Sequence, residues 1–451
     1  MSRRAAIFCQ VLLFSLWIVP AAHSQPGKLD GLLDRELPSW VSTYKALHAA
    51  PELSHHEEKT SAFLAAQLRA LGFTVTEHVG KYEHAEWTGY GVVAVLKNGG
   101  GPTVLVRTEL DALPVEEKTG LPYASKVRAQ DDTGREVGVM HACGHDLHIT
   151  ALLGTAKMLV ELRDQWHGTL VMVGQPAEEA ISGAKAMLDD GLYTRFPRPD
   201  YVLSLHDSAA LEAGKVGFTP GYAMASSTSV DVIMRGVGGH GSAPQAAKDP
   251  VVAAAQFVLA LQTIVSREDS PFDPAVVTVG SIHGGTRYNI IPDEVHLQLT
   301  LRTYKEEVRQ RILGSLDRMA KGIAAAAGIS ESRAPIVKAS DTEYTPATYN
   351  DPRLTERLAR VFEKVLGREN VVETPPVMAS EDFCRLGLEN RQIPICQFWL
   401  GAVDPGRLEE SRRTGTPLPG LHSSLWAPVP EPAIRTGVKA MTSAVLDLMA
   451  K

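Results

Sequence analysis

Val104-Leu105-Val106-Arg107-Thr108-Glu109-Leu110-Asp111 passes from an unbroken apolar run directly into charge. A short run without alternation marks a strand covered on both faces, as in a parallel sheet. The same transition recurs where Leu170-Val171-Met172-Val173 leads into Gln175-Pro176-Ala177-Glu178-Glu179, and where Val202-Leu203-Ser204-Leu205 ends at His206. Helical patterns lie between these runs. Ser61 to Leu71 reads as a helix, and Ile149, Leu152, Leu153, Ala156, Leu159 and Val160 fall on one helical face. Gly91 to Leu96 is a further strand. Strands alternating with helices predict an α/β domain, a mainly parallel sheet sandwiched by helices. In such sheets the functional crevice lies at the carboxyl edge of the strands, where these polar groups sit.

A Gly/Pro/Ser-rich passage from Gly214 to Ser227 reads as a boundary. Beyond it the expected order is strand Ser229–Arg235, helix Pro250–Ser266, strands Ala275–Ile282 and Glu294–Thr303, helix Lys305–Ala326 and strand Arg333–Ala339. This β-α-β-β-α-β order is the ferredoxin-like unit. Val295, Leu297, Leu299 and Leu301 alternate with His296, Gln298, Thr300 and Arg302, so that strand is half buried with a polar face. Helix and strand patterns return at Leu354–Leu366, Pro394–Leu400 and Pro432–Met449. The expected organisation is therefore a discontinuous catalytic domain, residues 25–220 and 341–451, with a ferredoxin-like domain inserted at 221–340.

The 451 residues exceed what one hydrophobic core serves. Hydrophobic content of 44% and charged content of 22% are those of a globular enzyme. A net charge of −7 without charge blocks speaks against a nucleic-acid partner. Arg3 and Arg4, the apolar run Ala5–Val19 and the small-residue step Ala22-His23-Ser24 form a secretory signal pattern. Residues 1–24 are expected to be removed, leaving a periplasmic or secreted protein without a membrane span. Cys143, Cys384 and Cys396 then remain, too few for a disulfide framework. Cys384 and Cys396 are open to pairing or to burial as free thiols.

The densest chemistry lies in Met140-His141-Ala142-Cys143-Gly144-His145-Asp146-Leu147-His148. Cys143 and His145 flank a glycine and can turn toward one point, a combination suited to a borderline-soft divalent metal. Adjacent carboxylates such as Glu178 and Glu179 can divide the work, one on metal and one as base, although a lone pair of this kind is often a solvated turn. A lone His206 at a strand end is commonly a core residue; beside Cys143 and His145 it becomes a candidate ligand. His422 lies in the loop Pro419–Ser424. His240 sits among Gly236, Gly238, Gly239 and Gly241, which suits a mobile reaching residue or a plain exposed hairpin. Asn289 and Arg302 are weaker signals; an arginine can grip a carboxylate but more often joins a surface ion pair.

Together these motifs resemble the co-catalytic metallopeptidase/aminoacylase family, in particular its amidohydrolase branch of hippurate, N-acyl-amino-acid and auxin-conjugate hydrolases. The carriers are Leu110-Asp111-Ala112-Leu113-Pro114, His141–Asp146, Gln175–Glu179, Leu205-His206, Gly238–Pro244, Asn289–Asp293, Ser380-Glu381-Asp382-Phe383 and Leu421-His422, in the family's order. The resemblance implies two divalent ions (Mn, Zn, Co or Ni) held by Cys143, His145, Glu179, His206 and His422, with Cys143 a candidate bridge. It implies Glu178 as general base and later acid, Asp111 orienting a ligand, and His240 stabilising the oxyanion, in many relatives from the partner of a homodimer. Asn289 and Arg302 would help grip a small substrate. The implied reaction is hydrolysis of the amide bond of N-acyl-amino acids or short peptides, with dipeptidase, aminopeptidase or carboxypeptidase action on the same site as alternatives. Glu109 departs from the pattern, which usually has Asp there, and bears on the surroundings of Asp111. Two readings of other classes compete: a thiol amidase with Cys143 as nucleophile and His145 as base, and a non-catalytic metal- or peptide-binding protein.

Overall fold

The computed structural model describes residues 27–450, so the expected signal peptide lies outside the described residues. An eight-stranded sheet forms the centre. Its middle is four parallel neighbours in the order Gly168–Gln175, Thr103–Glu109, Tyr201–Glu212 and Ile395–Val403. On one side the antiparallel strands Gly91–Asn98 and Thr74–Val79 extend it. On the other, Val216–Phe218 pairs antiparallel with Ile395–Val403, and Val371–Glu373 closes the edge.

The apolar runs follow from this placement. Successive strand residues point to opposite faces. Val104, Val106, Leu170, Met172, Leu203 and Leu205 pack into one core with the helices Lys28–His48, His145–Glu161 and Pro430–Leu448. Leu105, Val171, Val173 and Val202 pack into another beneath the helix Gly183–Asp189. Both faces are covered, so both parities must be apolar.

A four-stranded antiparallel sheet lies between Ser226 and Thr345 in sequence. Its order is Ala275–His283, Glu294–Thr303, Ser226–Arg235, Ile336–Thr345. That is the second, third, first and fourth strand, the ferredoxin-like arrangement. Helices Pro250–Thr263 and Glu306–Ala326 share its core with Val230, Val232, Leu297 and Leu299. The alternation read along Glu294–Thr303 holds in the burial of its odd-numbered residues.

Two details are added to the expected boundaries. The Gly214–Ser227 boundary passage is itself structured: Val216–Phe218 belongs to the large sheet, Gly221–Met224 pairs with Thr348–Asn350, and the inserted sheet begins at Ser226. Short edge strands take their definition from a partner's backbone, which local composition does not show. The last strand of the inserted sheet also runs through residue 340 to Thr345. Cys384 and Cys396 are buried free thiols.

Candidate metal centre

Strand ends and one helix start bring the polar groups together. The strand Thr103–Glu109 delivers Asp111, and Gly168–Gln175 delivers the turn carrying Glu178 and Glu179. His206 lies inside its strand, which continues to Glu212, and not at the strand's end. Cys143 and His145 flank Gly144, the residue preceding the helix His145–Glu161, with φ of 76°. A Cβ on Gly144 would lie 2.4 Å from Asp207 Oδ2, so both the backbone conformation and the packing require glycine here. His422 arrives from a distant loop, also at positive φ (66°), with its backbone N–H donating to Ala142 O at 2.8 Å.

Two donor groups share one sulfur. Cys143, His145 and His206 have ligand atoms within 4.8 Å of one another, as do Cys143, Glu179 and His422. Cys143 Sγ lies 3.6 Å from His206 Nε2 and 3.3 Å from His422 Nε2. Glu179 lies 3.6 Å from His422 Nε2 and 3.9 Å from His145 Nε2, and Glu178 also lies 3.9 Å from His145 Nε2.

The outer nitrogens are already committed. His145 Nδ1 faces Asp111 O at 2.8 Å, and His206 Nδ1 faces Asp207 O at 2.8 Å. Each ring is thereby held with Nδ1–H donating outward and the Nε2 lone pair aimed inward, the arrangement metal-ligating histidines adopt. His145 Nε2 and Glu179 Oε1 are buried with no hydrogen-bond partner among the described residues. Proteins satisfy most buried polar atoms, and these two orphans face the Cys143 and His422 donors, so they fit a cation.

Electrostatics agree. Burial, with the Glu179 and Glu178 carboxylates nearby, pushes the Cys143 thiol well above its ordinary range. Burial also pushes Glu179 up to about 7. Burial and the Glu381 charge push Glu178 well upward. Carboxylates and a thiol crowded together favour a multivalent cation among them. The thiol-amidase reading needs a thiolate, which burial and the Glu179 and Glu178 charges disfavour at Cys143 even with His206 and His422 beside the sulfur.

Asp111 accepts from Ser54 Oγ at 2.7 Å and from the Glu179 backbone N–H at 2.9 Å. Glu109 makes no hydrogen bond to Asp111 among the described residues. It pairs with buried Arg107 and takes His148 Nδ1 at 2.9 Å. His148 reaches on to Asp207, the residue after His206. His141, by contrast, has neither ring nitrogen partnered among the described residues, and burial pushes its pKa down to about 4.

His240 and Asn289 are not part of this cluster within one chain. They lie on neighbouring segments of an exposed edge of the inserted domain, where His240 pairs with Ile290 and Gly241 N donates to Asn289 O at 2.9 Å. The His240 ring bonds only Ser242 among the described residues. Arg302 does cross to the large domain, donating to Ser380 Oγ at 2.5 Å.

Sequence reasoning missed Arg107, whose side chain is wholly buried beneath the site against Glu109, Glu381 (2.8 Å) and Asp382 (3.1 Å). Its signal was an arginine inside an otherwise apolar strand. Glu57 was missed too; its carboxylate accepts from Ala177 N at 2.7 Å and supports the turn leading to Glu178.

Residues 105–412 match the model of peptidase family M20/M25/M40. A hippurate hydrolase from Campylobacter jejuni is 38% identical over 339 residues, covering 75% of this chain and 82% of that one. Thermostable carboxypeptidase 1 of Saccharolobus solfataricus is 36% identical over 371 residues, covering 81% and 87%. Among solved structures, the Bacillus subtilis YXEP protein, described as a dinuclear metal binding peptidase, superposes with a TM-score of 0.72 at 26% identity over 93% of this chain and 99% of that one.

Proposed function

We propose that this chain, which belongs to peptidase family M20/M25/M40, is a metal-dependent amidohydrolase cleaving the amide bond of N-acyl-amino acids or small peptides. The observation that carries the reading is the pair of donor groups sharing Cys143 Sγ, with the Glu178 carboxylate alongside. Cys143, His145 and His206 would hold one divalent ion, and Cys143, Glu179 and His422 the other. Sulfur, nitrogen and oxygen donors in this mixture suit Zn, Mn, Co or Ni. When bound, such ions acidify water and polarise a carbonyl.

The protein's own groups supply the rest. Glu178 takes a proton from water on its carboxylate and hands it to the departing amine nitrogen. Asp111, through its backbone oxygen at 2.8 Å, holds His145 in one tautomer. Arg302, which bonds Ser380 at the domain junction, would hold a substrate carboxylate. The exposed His240 and Asn289 edge would complete the site from a second copy in a homodimer. Exposed Tyr288 and Ile290 beside it support that assembly. The N-terminal pattern of Arg3, Arg4 and the Ala5–Val19 run supports export to the periplasm or beyond.

Metal analysis combined with amine release from a panel of acyl-amino acids and dipeptides tests the reading. About two ions per chain, and activity lost on chelation and restored by Mn or Zn, are expected. Glu178→Gln should lower kcat by ~10²–10⁴ with metal content unchanged. Activity indifferent to chelators but abolished by iodoacetamide would overturn it.

A further inference from the structure

Residues 81–88 form a closed loop between the strands Thr74–Val79 and Gly91–Asn98. Its ends touch, since a Cβ on Gly89 would lie 2.2 Å from Gly80 O. Its base is pinned by Gly80 N donating to Asp190 Oδ2 at 3.0 Å and by Lys81 N donating to Ala186 O at 2.8 Å. Such loops are packed by their own side chains and frequently carry function. Here the packing is aromatic. Trp87 stacks on His55 at 3.8 Å between ring centroids, and His84 lies against Trp87 at 4.4 Å. Tyr82 stands edge-on to His55 at 5.1 Å and to Trp87 at 5.7 Å.

The Tyr82 hydroxyl and His55 Nδ1 are buried, and His55 Nε2 is engaged by Ser182 Oγ at 3.2 Å. The half-buried rings of Tyr82 and Trp87 are what the cluster presents to the cleft. Tyr82, Trp87 and His55 line a cleft of about 470 Å³ that Glu179 also lines, with Ser227 and Ser229 of the inserted domain. That volume lies in the range of small-molecule sites. The cleft's Lys185 is already neutralised by Asp189 at 2.7 Å and Glu83 at 3.2 Å. Lys81, Asp132 and Glu343 on the rim are exposed.

Resting on the amidohydrolase reading above, we infer that the Tyr82–Trp87–His55 wall is a substrate subsite that takes a ring-bearing apolar group of the amide substrate, with Trp87 setting the preference. Continuity with Glu179 places the group within one small molecule's length of the metal centre. The ring can enter from either side of the amide bond, as an aroyl group or as an aromatic amino-acid side chain.

Two kcat/KM ratios test this: benzoyl-glycine against acetyl-glycine, with the ring on the acyl side, and acetyl-phenylalanine against acetyl-alanine, with the ring on the amine side. At least one ratio is expected to favour the ring, to fall roughly tenfold in Trp87→Ala and to stay within about threefold in Trp87→Phe. The ratio that moves identifies the side of the substrate that occupies the wall. Ratios that Trp87→Ala leaves unchanged, or that both variants lower equally, overturn the subsite. Calorimetric binding of benzoate and phenylalanine against acetate and alanine gives an answer independent of turnover. A protein that hydrolyses nothing in the panel refutes the proposed function, while preferential ring binding lost in Trp87→Ala still upholds the subsite, and equal binding overturns it.

Discussion

The sulfur of Cys143 lies 3.3 Å from Nε2 of His422, joining side chains 279 positions apart in the chain. His422 is 55% exposed and serves no core, so its removal should act on the site alone. His422→Ala is expected to lower metal content from about two ions per chain toward one, leaving the Cys143, His145 and His206 group occupied. Metal analysis after desalting reads this directly, and two ions retained would remove His422 from the ligand set.

Gly144 should tolerate no side chain. Its φ of 76° costs a substituted residue ~1–3 kcal/mol, and the Asp207 carboxylate occupies the place of a Cβ. Gly144→Ala is expected to destabilise by at least ~2 kcal/mol and to lower metal occupancy, because Cys143 and His145 are displaced together. Denaturant midpoints and metal content measure the two effects separately.

Arg107 neutralises a buried acidic group beneath the centre. Breaking a buried ion pair by removing one partner costs ~3–5 kcal/mol. Arg107→Met is therefore expected to destabilise by that order at neutral pH. Burial works to raise the pKa of Glu381, but the Arg107 charge holds it below its ordinary 4.5. The stability this contributes is present above 4.5 and is lost as pH falls through the lower folded value. The gap between wild type and variant in urea unfolding should accordingly narrow in acid; a gap constant with pH would contradict the assignment.

His48 predicts the opposite slope. Burial disfavours its charge, yet the Asp146 hydrogen bond at 2.7 Å and the Glu117 contact at 3.1 Å push its pKa up to about 9. A pKa raised on folding favours the native state fully below the ordinary 6.5 and loses that contribution as pH climbs through 9. Wild-type stability should fall between these limits by up to ~3 kcal/mol more than that of His48→Gln. Unfolding midpoints taken at pH 6 and pH 9.5 for both proteins check it.

Much of the scaffold was readable because burial on two faces leaves a mark in the sequence. Leu105 and Val106 point into different cores, and only a strand covered on both sides demands both. The alternation of Val295 to Leu301 likewise displayed a sheet with one wet face. Val216–Phe218 was not readable, since so short a strand exists only through pairing with Ile395–Val403 and Val371–Glu373. The ring cluster also escaped notice, because His55 and Trp87 meet only after the loop at 81–88 folds back over the sheet edge.

For the site, the sequence by itself determined the donor chemistry: Cys143 and His145 about a glycine, paired carboxylates after a buried strand, and histidines at two further positions. Those are local properties, set by residue type and spacing. Only the tertiary structure decided which donors share a sulfur, that Arg107 lies buried beneath them, and that His240 and Asn289 stand apart within one chain. Ligand convergence depends on long-range strand order and loop return, and no short stretch of sequence carries those distances. The structure also ties Glu109 to Arg107 and His148.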